Sequence, residues 1–515
     1  MEKKAILKKT IQFGSFTFIS RILGIIREIL QIRFLGISAM SDAFITAFRI
    51  PNVLRKVFAE GALSSASIPV LVKLQRKNDQ KLINSTMSAT FLFFEGIVGL
   101  ICLFAFLFPS IIVKVIAPGF SAEQISYAIP FVRILFPFIF FISSCALLAA
   151  ALQSIYHFFA QAFGPIILNI FYVSSLLTCL YFNKDILFLS KGIILGGAAN
   201  FLFHLILYFT YNFNFGKITR AAIEQFKLIL KKFLPCLLGV GIVEINMFAD
   251  TMIVSFLPIG STSLLTYATR FIQMPVGMFA VGFATILLPY FSRIVLYAPK
   301  RLKFHLLETT KFVTWVVAPT MFFLMFVSEK LFFHLFSGKA TVAQIIETKF
   351  VLIVYATGLV FFSLNKVLVN IFYSLKDTTT PTIGASIAAV VNFVCNIIGV
   401  YFWGSYGIAT GTVISGLTLT IFCFVYLNKK HDVIFYGKKY LSFLYRYVFQ
   451  LATSVILFYI SHFFIFKYLQ QTPYSDFFTA GLGYWLFTIP LFLLTMVFMF
   501  FTKRLYKIKI YFLDI

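Results

Sequence analysis

Acidic residues are scarce in this chain, and charge of either sign is low for its length. The 515 residues include 18 Asp and Glu against 44 Lys and Arg, and charged residues make up 12% of the total. Soluble globular domains carry about 25% charged residues, so a soluble domain of useful size is excluded. With 60% hydrophobic residues and a mean hydropathy of +0.93, the sequence predicts an all-α polytopic membrane protein.

Motifs of common enzymes and metal centres are absent as well. The sequence contains no H-E-x-x-H, G-x-x-x-x-G-K-[ST], D-x-D or G-x-S-x-G, so we do not expect the chain to hydrolyse ATP itself. Its six cysteines form no C-x-x-C pair, which argues against a disulfide framework or a structural metal site. One alternative is a membrane enzyme that acts on polyprenyl phosphates. Such an enzyme would need acidic metal ligands or a sizeable loop domain at the membrane surface, whereas the loops of this chain are short and basic. We therefore expect a transporter without a cofactor rather than an enzyme.

Apolar runs long enough to cross a bilayer recur along the whole chain. A span needs roughly 20 apolar residues, and the runs predict about 14 transmembrane helices. The predicted segments are 10–35, 42–72, 84–108, 125–152, 160–182, 186–210, 229–256, 263–292, 305–329, 347–374, 380–402, 406–428, 443–466 and 478–502.

The distribution of positive charge supports this topology. Lys and Arg collect in every second connection between the runs, for example at 73–81, 217–232 and 429–439, and are few in the others. By the positive-inside rule, both termini are predicted to be cytoplasmic and the number of spans to be even. The same distribution explains the net charge of +26 without nucleic-acid binding.

A weak internal repeat groups the predicted spans. Arg49 aligns with Arg270 at the same offset that aligns Phe58-Ala59-x-Gly61 with Phe279-Ala280-x-Gly282. Six spans per repeat would give both copies the same orientation in the membrane. We predict an N-terminal lobe at 1–215, a C-terminal lobe at 216–435, and two additional helices at 436–515.

Arginines inside the apolar runs carry the main functional signal. Arg21 and Arg27 interrupt the first run, Arg49 and Arg55 the second, and Arg270 the eighth. A charge that faces lipid costs from about 2.5 to over 10 kcal/mol, so such residues normally line a wet cavity enclosed by protein. Several guanidinium groups with few acids favour an anionic substrate that carries phosphate. The pattern therefore predicts a central cationic cavity.

Two acidic residues lie close to these arginines in the sequence. Glu28 adjoins Arg27, and Asp42 shares a helical face with Arg49. A purely structural alternative is that such pairs hold two helices together. Acids are too few to neutralise every cation, so we expect an excess of positive potential and include Asp42 in the substrate site.

Polar residues in three later runs predict a site for a coupling ion. Asp250 lies deep in the seventh run, Asn392 and Asn396 are one helical turn apart in the eleventh, and Thr412 follows in the twelfth. Carboxylate, amide and hydroxyl oxygens suit a small hard cation, so Na⁺ or H⁺ is expected. The alternative is that Asp250 only forms hydrogen bonds across helices or stays protonated.

Several short motifs in the apolar runs form the signature of one transporter family. In the first two runs they are Ser20-Arg21-Ile22-Leu23-Gly24, Arg27, Ser41-Asp42-Ala43-Phe44, Pro51-Asn52-x-Leu54-Arg55 and Phe58-Ala59-Glu60-Gly61-Ala62. Later they are Tyr267-x-x-Arg270-x-x-x-x-Pro275, Thr285-Ile286-Leu287-Leu288-Pro289, Lys366-Val367-Leu368 and Thr380-Pro381. Together these motifs resemble the MurJ (MviN) family of lipid II flippases. One departure is Glu28, because that family usually has Asp after the second arginine.

The resemblance implies more than the residues show. It implies the multidrug/oligosaccharidyl-lipid/polysaccharide exporter superfamily, with two six-helix lobes around the cationic cavity and a groove for a lipid tail at spans 13 and 14. It also implies that lipid II, the undecaprenyl-pyrophosphate-linked disaccharide-pentapeptide, moves by alternating access from the cytoplasmic to the periplasmic leaflet of the bacterial inner membrane. Arg21, Arg27, Asp42, Arg55 and Arg270 would be cavity residues, and cell-wall synthesis enzymes are expected partners.

Two transporter alternatives share this scaffold. A drug exporter for cations should have an acid-lined cavity, and the excess of arginine argues against it. A flippase for another polyprenyl-pyrophosphate-linked glycan, of the O-antigen type, stays open because its substrate carries the same pyrophosphate.

Overall fold

The computed structural model describes residues 3–55, 63–336 and 338–513, and within these ranges the regular secondary structure is entirely helical. The chain forms two compact units, Met1–Ser263 and Leu264–Ile515. The all-α fold predicted from composition is thereby confirmed. The predicted division at residues 215 and 435 follows membrane topology rather than compactness, and it stays a prediction.

The first unit contains ten helices among its described residues. They are α1 (Lys3–Leu35), α2 (Ala39–Arg55), α3 (Leu63–Gln75), α4 (Gln80–Leu107), α5 (Pro109–Ile116), α6 (Ala122–Leu135), α7 (Phe138–Ser154), α8 (Phe159–Phe182), α9 (Ile186–Thr210) and α10 (Arg220–Val254).

Polar caps begin several of these helices. The Asp79 and Asp185 carboxylates accept the backbone N–H of Leu82 and Phe188, and Ser121 forms a capping box at the start of α6. Each cap satisfies a backbone donor that a helix N-terminus leaves without an intrahelical partner.

The second unit is helical to its end. After α11 (Ser261–Pro275), which begins at the unit boundary, come a π-helical turn (Val276–Val281), α12 (Gly282–Tyr297) and a short 3₁₀ turn (Pro299–Arg301). The remaining helices are α13 (Leu302–Phe336), α14 (Val342–Thr357), α15 (Leu359–Ser374), α16 (Thr379–Trp403), α17 (Ser405–His431), α18 (Gly437–Leu469), α19 (Ser475–Ala480) and α20 (Leu482–Thr502).

In its described residues, each predicted membrane segment coincides with one helix or with consecutive helices. Within the described residues, ten helical segments are long and apolar enough to cross a membrane, and some of them, such as α6 with α7, consist of consecutive helices. An eleventh span results if α14 and α15, bent by 41°, count as one. The segments outside this set are α1, the α2–α3 segment and α10, which hold all the candidate residues of the first unit.

Glycine allows a close approach of two helices in the second unit. A Cβ atom added to Gly407 of α17 would lie 2.0 Å from the Gly399 carbonyl carbon of α16, so only glycine permits this approach. Small residues commonly take this place where membrane helices pack closely.

The segment after α20 packs back onto the second unit. Ile508 and Ile510 are buried in a cluster that includes Trp315 and Tyr447. The Tyr511 backbone N–H donates to Glu308 at 2.8 Å. The C-terminal segment is therefore part of the core of this unit.

Candidate functional site

Arg27 on α1 is held by groups from two helices. Its Nη2 forms an ion pair with Glu28 at 2.7 Å, and its Nη1 donates to the Asn169 Oδ1 of α8 at 3.0 Å. The guanidinium carbon lies 5.2 Å from the centre of the Tyr172 ring, also on α8. Stacking on an aromatic face and a fork of hydrogen bonds are the two contacts that suit arginine better than lysine.

The Arg27 guanidinium keeps unused donors. Its side chain is 30% exposed, and a guanidinium carries five N–H groups. The buried Nε has no acceptor within the described residues. Arg27 is therefore fixed in place while it retains the capacity to bind an anion.

Asn169 and Tyr172 were not predicted as site residues. The Asn169 amide also donates to the Ser20 carbonyl at 3.1 Å, and the Tyr172 hydroxyl donates to Gln31 at 2.9 Å. Both bonds tie α8 to α1 on either side of Arg27. The sequence does single out Asn169, because it is a polar side chain within the otherwise apolar stretch 164–171.

The other arginines of the first unit differ in their surroundings. Arg21, on α1, is exposed. Arg49, on α2, is half-buried and donates to the Thr251 hydroxyl of α10, next to Asp250. Arg55 is half-buried at the end of α2, directly before residues 56–62, which lie outside the described ranges.

Asp42 is buried and its carboxylate is saturated. Only 1% of the residue is exposed. Oδ1 accepts from the Ser263 N–H at 2.8 Å and from its hydroxyl at 2.6 Å, while Oδ2 accepts from the Gly260 N–H at 2.6 Å and from Gln124 at 3.1 Å. Asp42 thus joins α2 to α6 and to the start of α11, where a carboxylate also interacts favourably with the helix dipole. Its role in substrate binding stays a prediction.

Arg270 belongs to the second unit and precedes an irregular stretch of helix. It lies half-buried on α11, five residues before Pro275 and the π-helical turn. Proline lacks an N–H donor, so it interrupts the backbone hydrogen bonds of the helix. Beyond the turn, the Asn370 amide donates to the Ala284 carbonyl at 2.8 Å and connects α15 to α12.

Three of the predicted ion ligands meet in the second unit. The Asn396 amide donates to Asn392 Oδ1 at 3.1 Å, and the Asn392 amide lies 3.4 Å from the Thr412 hydroxyl. Asn392 is 1% and Asn396 0% exposed. Asp250, the fourth, is half-buried on α10 of the first unit. Within the described residues, no group of three or more His, Cys, Asp or Glu could hold a metal ion, and the coupling ion stays a prediction.

The sequence matches a known protein family over most of its length. A family model described as lipid II flippase MurJ matches residues 32–474. A Vibrio cholerae protein named "Probable lipid II flippase MurJ" is 31% identical over 437 residues, which cover 80% of this chain and 81% of that protein. A Buchnera aphidicola protein of the same name is 34% identical and covers 73% of this chain and 74% of its own.

Solved structures show the same relationship. A lipid II flippase MurJ in an inward closed conformation matches with a TM-score of 0.79 and 27% identity, over 96% of this chain and 99% of that one. A multidrug resistance transporter of the MATE family matches with a TM-score of 0.69 over 82% of this chain and 97% of its own, but at 14% identity it shares the fold alone. The chain belongs to the lipid II flippase MurJ family.

Proposed function

We propose that this chain flips lipid II from the cytoplasmic to the periplasmic leaflet of the bacterial cytoplasmic membrane. Membership of the MurJ family supports this assignment, because the matching relatives are named as lipid II flippases. The scarcity of acids and the arginines within apolar helices suit a substrate with a pyrophosphate.

The observation that carries the proposal is the setting of Arg27. Glu28, Asn169 and Tyr172 fix the guanidinium, yet N–H groups remain for a ligand. A fixed guanidinium loses less freedom on binding than a mobile side chain does. It donates charge-assisted hydrogen bonds to phosphate oxygens, so Arg27 would bind the lipid II pyrophosphate.

The other predicted site residues would add to this binding. Arg21, Arg49, Arg55 and Arg270 would raise the positive potential that draws the headgroup into the protein. Asp42 would keep the surrounding helices in position. The polyprenyl tail would stay in lipid along α18 and α20, because each methylene removed from water is worth about 0.8 kcal/mol.

Transport would proceed by alternating access and would be driven by an ion or by the membrane potential. Each elementary charge that crosses 100 mV is worth about 2.3 kcal/mol, enough to bias a conformational equilibrium more than tenfold. Asp250, Asn392, Asn396 and Thr412 are the candidate ligands for Na⁺ or H⁺. Both termini would lie in the cytoplasm, and the enzymes of wall synthesis are candidate partners.

The test measures lipid II at the outer surface of cells depleted of their own flippase and carrying this chain. A toxin that cleaves only externally exposed lipid II provides the readout. Wild-type protein should restore cleavage, and Arg27→Ala should abolish it at equal protein levels in the membrane.

Arg133→Ala is the matched control. Arg133 also lies on a membrane helix of the first unit, but it is exposed and contacts the Phe106 carbonyl and ring. Cleavage should be normal in this variant. An inserted wild-type protein that gives no cleavage would contradict lipid II as the substrate and favour another polyprenyl-pyrophosphate-linked glycan.

A further inference from the structure

A buried carboxyl group lies near the midpoint of α4, outside the arginine set. Glu95 is 5% exposed, and α4 extends from Gln80 to Leu107 as a candidate membrane span. Ionisable residues at such depth are costly, so they commonly mark ion or proton pathways. The transport scheme above gives Glu95 no role.

The hydrogen bonds of Glu95 leave one oxygen unused. The Ser143 hydroxyl of α7 donates to Oε2 at 2.9 Å. Oε1 has no hydrogen-bond partner within the described residues, and neither does the buried hydroxyl of Ser144. Ser144 is nonetheless near enough to act on the same carboxyl group. α7 thus places two hydroxyls beside one carboxyl.

Among the residues that the structure describes, the groups around Glu95 offer no compensating cation. The side chains of Cys102 on α4 and Cys145 on α7 are close to this carboxyl, and a thiol carries no positive charge in either of its ionisation states. Phe226 and Phe233 of α10 pack against the neighbouring Phe94. Glu244 of α10 is buried and has interactions of its own. Asp250 of α10 is half-buried and also has interactions of its own. The other charged residues on the helices in contact with α4 are exposed: Lys73, Lys114, Glu123, Arg133, Arg220, Glu224, Lys227, Lys231 and Lys232.

An ionised carboxylate with only neutral hydroxyl donors and no cation beside it would be unstable in this packing. The neutral acid fits, because a proton on Oε1 supplies a donor that can turn towards the Ser144 hydroxyl. Ionisation would then require water or a different packing of α4, α7 and α10.

We propose that Glu95 is a proton-binding site whose reversible loss of a proton changes the packing of α4 against α7 and α10 and thereby sets the rate of transport. On release, the O–H bond at Oε1 breaks, the proton passes to water and the electron pair stays on the carboxylate. The link to rate rests on the proposed flippase function, whereas proton binding itself does not.

The first experiment measures protonation without transport. Purified protein in lipid vesicles is titrated between about pH 5 and about pH 9. Unperturbed carboxyl groups are ionised over most of this range. The infrared C=O band of a protonated carboxyl should fall as pH rises, and this change should be missing in Glu95→Gln. Ser143→Ala should shift the frequency of the band.

Glu329→Gln is the matched control, because Glu329 is exposed and paired with Lys349 at 2.7 Å. It should leave the titrating band unchanged. A band that Glu95→Gln leaves intact, or a Glu95 carboxyl whose protonation does not change across the range, would overturn the proposed site. Glu95→Asp keeps a carboxyl and should still titrate, so the test does not depend on the amide variant folding.

The second experiment measures lipid II flipping in the same vesicles at each pH. The wild-type rate should follow the titration of the band, and Glu95→Gln should flatten this dependence to a ratio of about one across the range. A Glu95→Gln protein with the wild-type pH response would refute the coupling. A wild-type protein that titrates without flipping would refute the flippase function and leave the proton site standing. A band that responds to Na⁺ instead of pH would refute the proton as the ligand.

Discussion

Two charged side chains of the first unit, Arg27 and Asp42, are used in opposite ways. Asp42 is 1% exposed, and each of its oxygens accepts two hydrogen bonds. The Arg27 side chain is 30% exposed, and its guanidinium is fixed but keeps N–H groups unused. A saturated buried charge stabilises a fold, whereas a fixed charge with spare donors is available to a ligand. In the sequence alone, both residues belong to the same group of charges in the first two apolar runs.

The largest expected effect comes from removing the saturated charge. Asp42→Ala removes the acceptor of three donors, which are the Gly260 N–H and the N–H and hydroxyl of Ser263. Each buried donor left without a partner lowers the free energy of unfolding by about 1–3 kcal/mol. We expect a large loss of folded protein in the membrane and a lower midpoint of thermal unfolding in detergent.

Asp42→Asn separates shape from charge at this position. The amide keeps one acceptor oxygen but turns an NH₂ group towards other donors, so its stability should be intermediate. An Asp42→Ala protein as stable as the wild type would show that Asp42 is not part of the scaffold. Arg27→Ala should unfold at the wild-type midpoint, because its contacts are partly exposed.

Arg27→Lys tests the other half of the comparison. Lysine keeps the positive charge but lacks the planar fork that contacts Asn169 and Glu28 together. We expect transport to fall by about a hundredfold, or roughly 2.7 kcal/mol in the barrier, with normal insertion. Full activity, measured by toxin cleavage of exposed lipid II, would mean that charge alone is sufficient.

Asn169→Ala should have a smaller effect of the same kind. It removes the Nη1 acceptor and the bond to Ser20, so Arg27 should be less well oriented and transport should fall by about tenfold. In the background of Arg27→Lys the same change should cost little more, because the two residues act together. Additive losses would show that Asn169 acts independently. Tyr172→Phe keeps the ring under Arg27 and should be close to wild type.

The sequence was sufficient for the helices and for one contact of the candidate site. Apolar runs predicted the segments that became helices, and adjacency predicted the pairing of Arg27 with Glu28. The sequence alone also marks four other arginines as unusual, because a charge inside an apolar run is costly in lipid. They are Arg21, Arg49, Arg55 and Arg270.

Contacts between distant helices were beyond the sequence. Asn169 lies 142 residues from Arg27, and Gly260 lies 218 residues from Asp42. Helical periodicity gives the face on which a residue lies, but the helix opposite that face depends on the packing of the whole unit. The sequence therefore predicts neither the four hydrogen-bond donors of Asp42 nor the contact of Asn169 with Arg27.

A second saturated carboxylate extends the comparison to the second unit, outside the membrane spans, and carries the smallest expected effect. Asp377 is buried between α15 and α16. Its carboxylate accepts from the Thr380 N–H at 3.0 Å and from the Thr380 hydroxyl at 2.7 Å. It is also paired with Lys430 at 2.9 Å and with His431 at 2.8 Å. Burial acts to raise the pKa of Asp377, but the bonds from Thr380, His431 and Lys430 outweigh it and lower the pKa below its ordinary value.

A lowered carboxyl pKa stabilises the folded state above the ordinary Asp pKa of about 4, and this contribution is lost as pH falls through the lower folded value. Wild-type protein should therefore exceed Asp377→Asn in unfolding free energy by about 1 kcal/mol near neutral pH. The difference should narrow as pH falls below about 4. Thermal unfolding at a series of pH values measures it, and a difference that widens on acidification would show that Asp377 does not act as a carboxylate. Transport by Asp377→Asn near neutral pH should stay close to the wild-type rate, because a saturated carboxylate far from the arginines in sequence acts through stability alone.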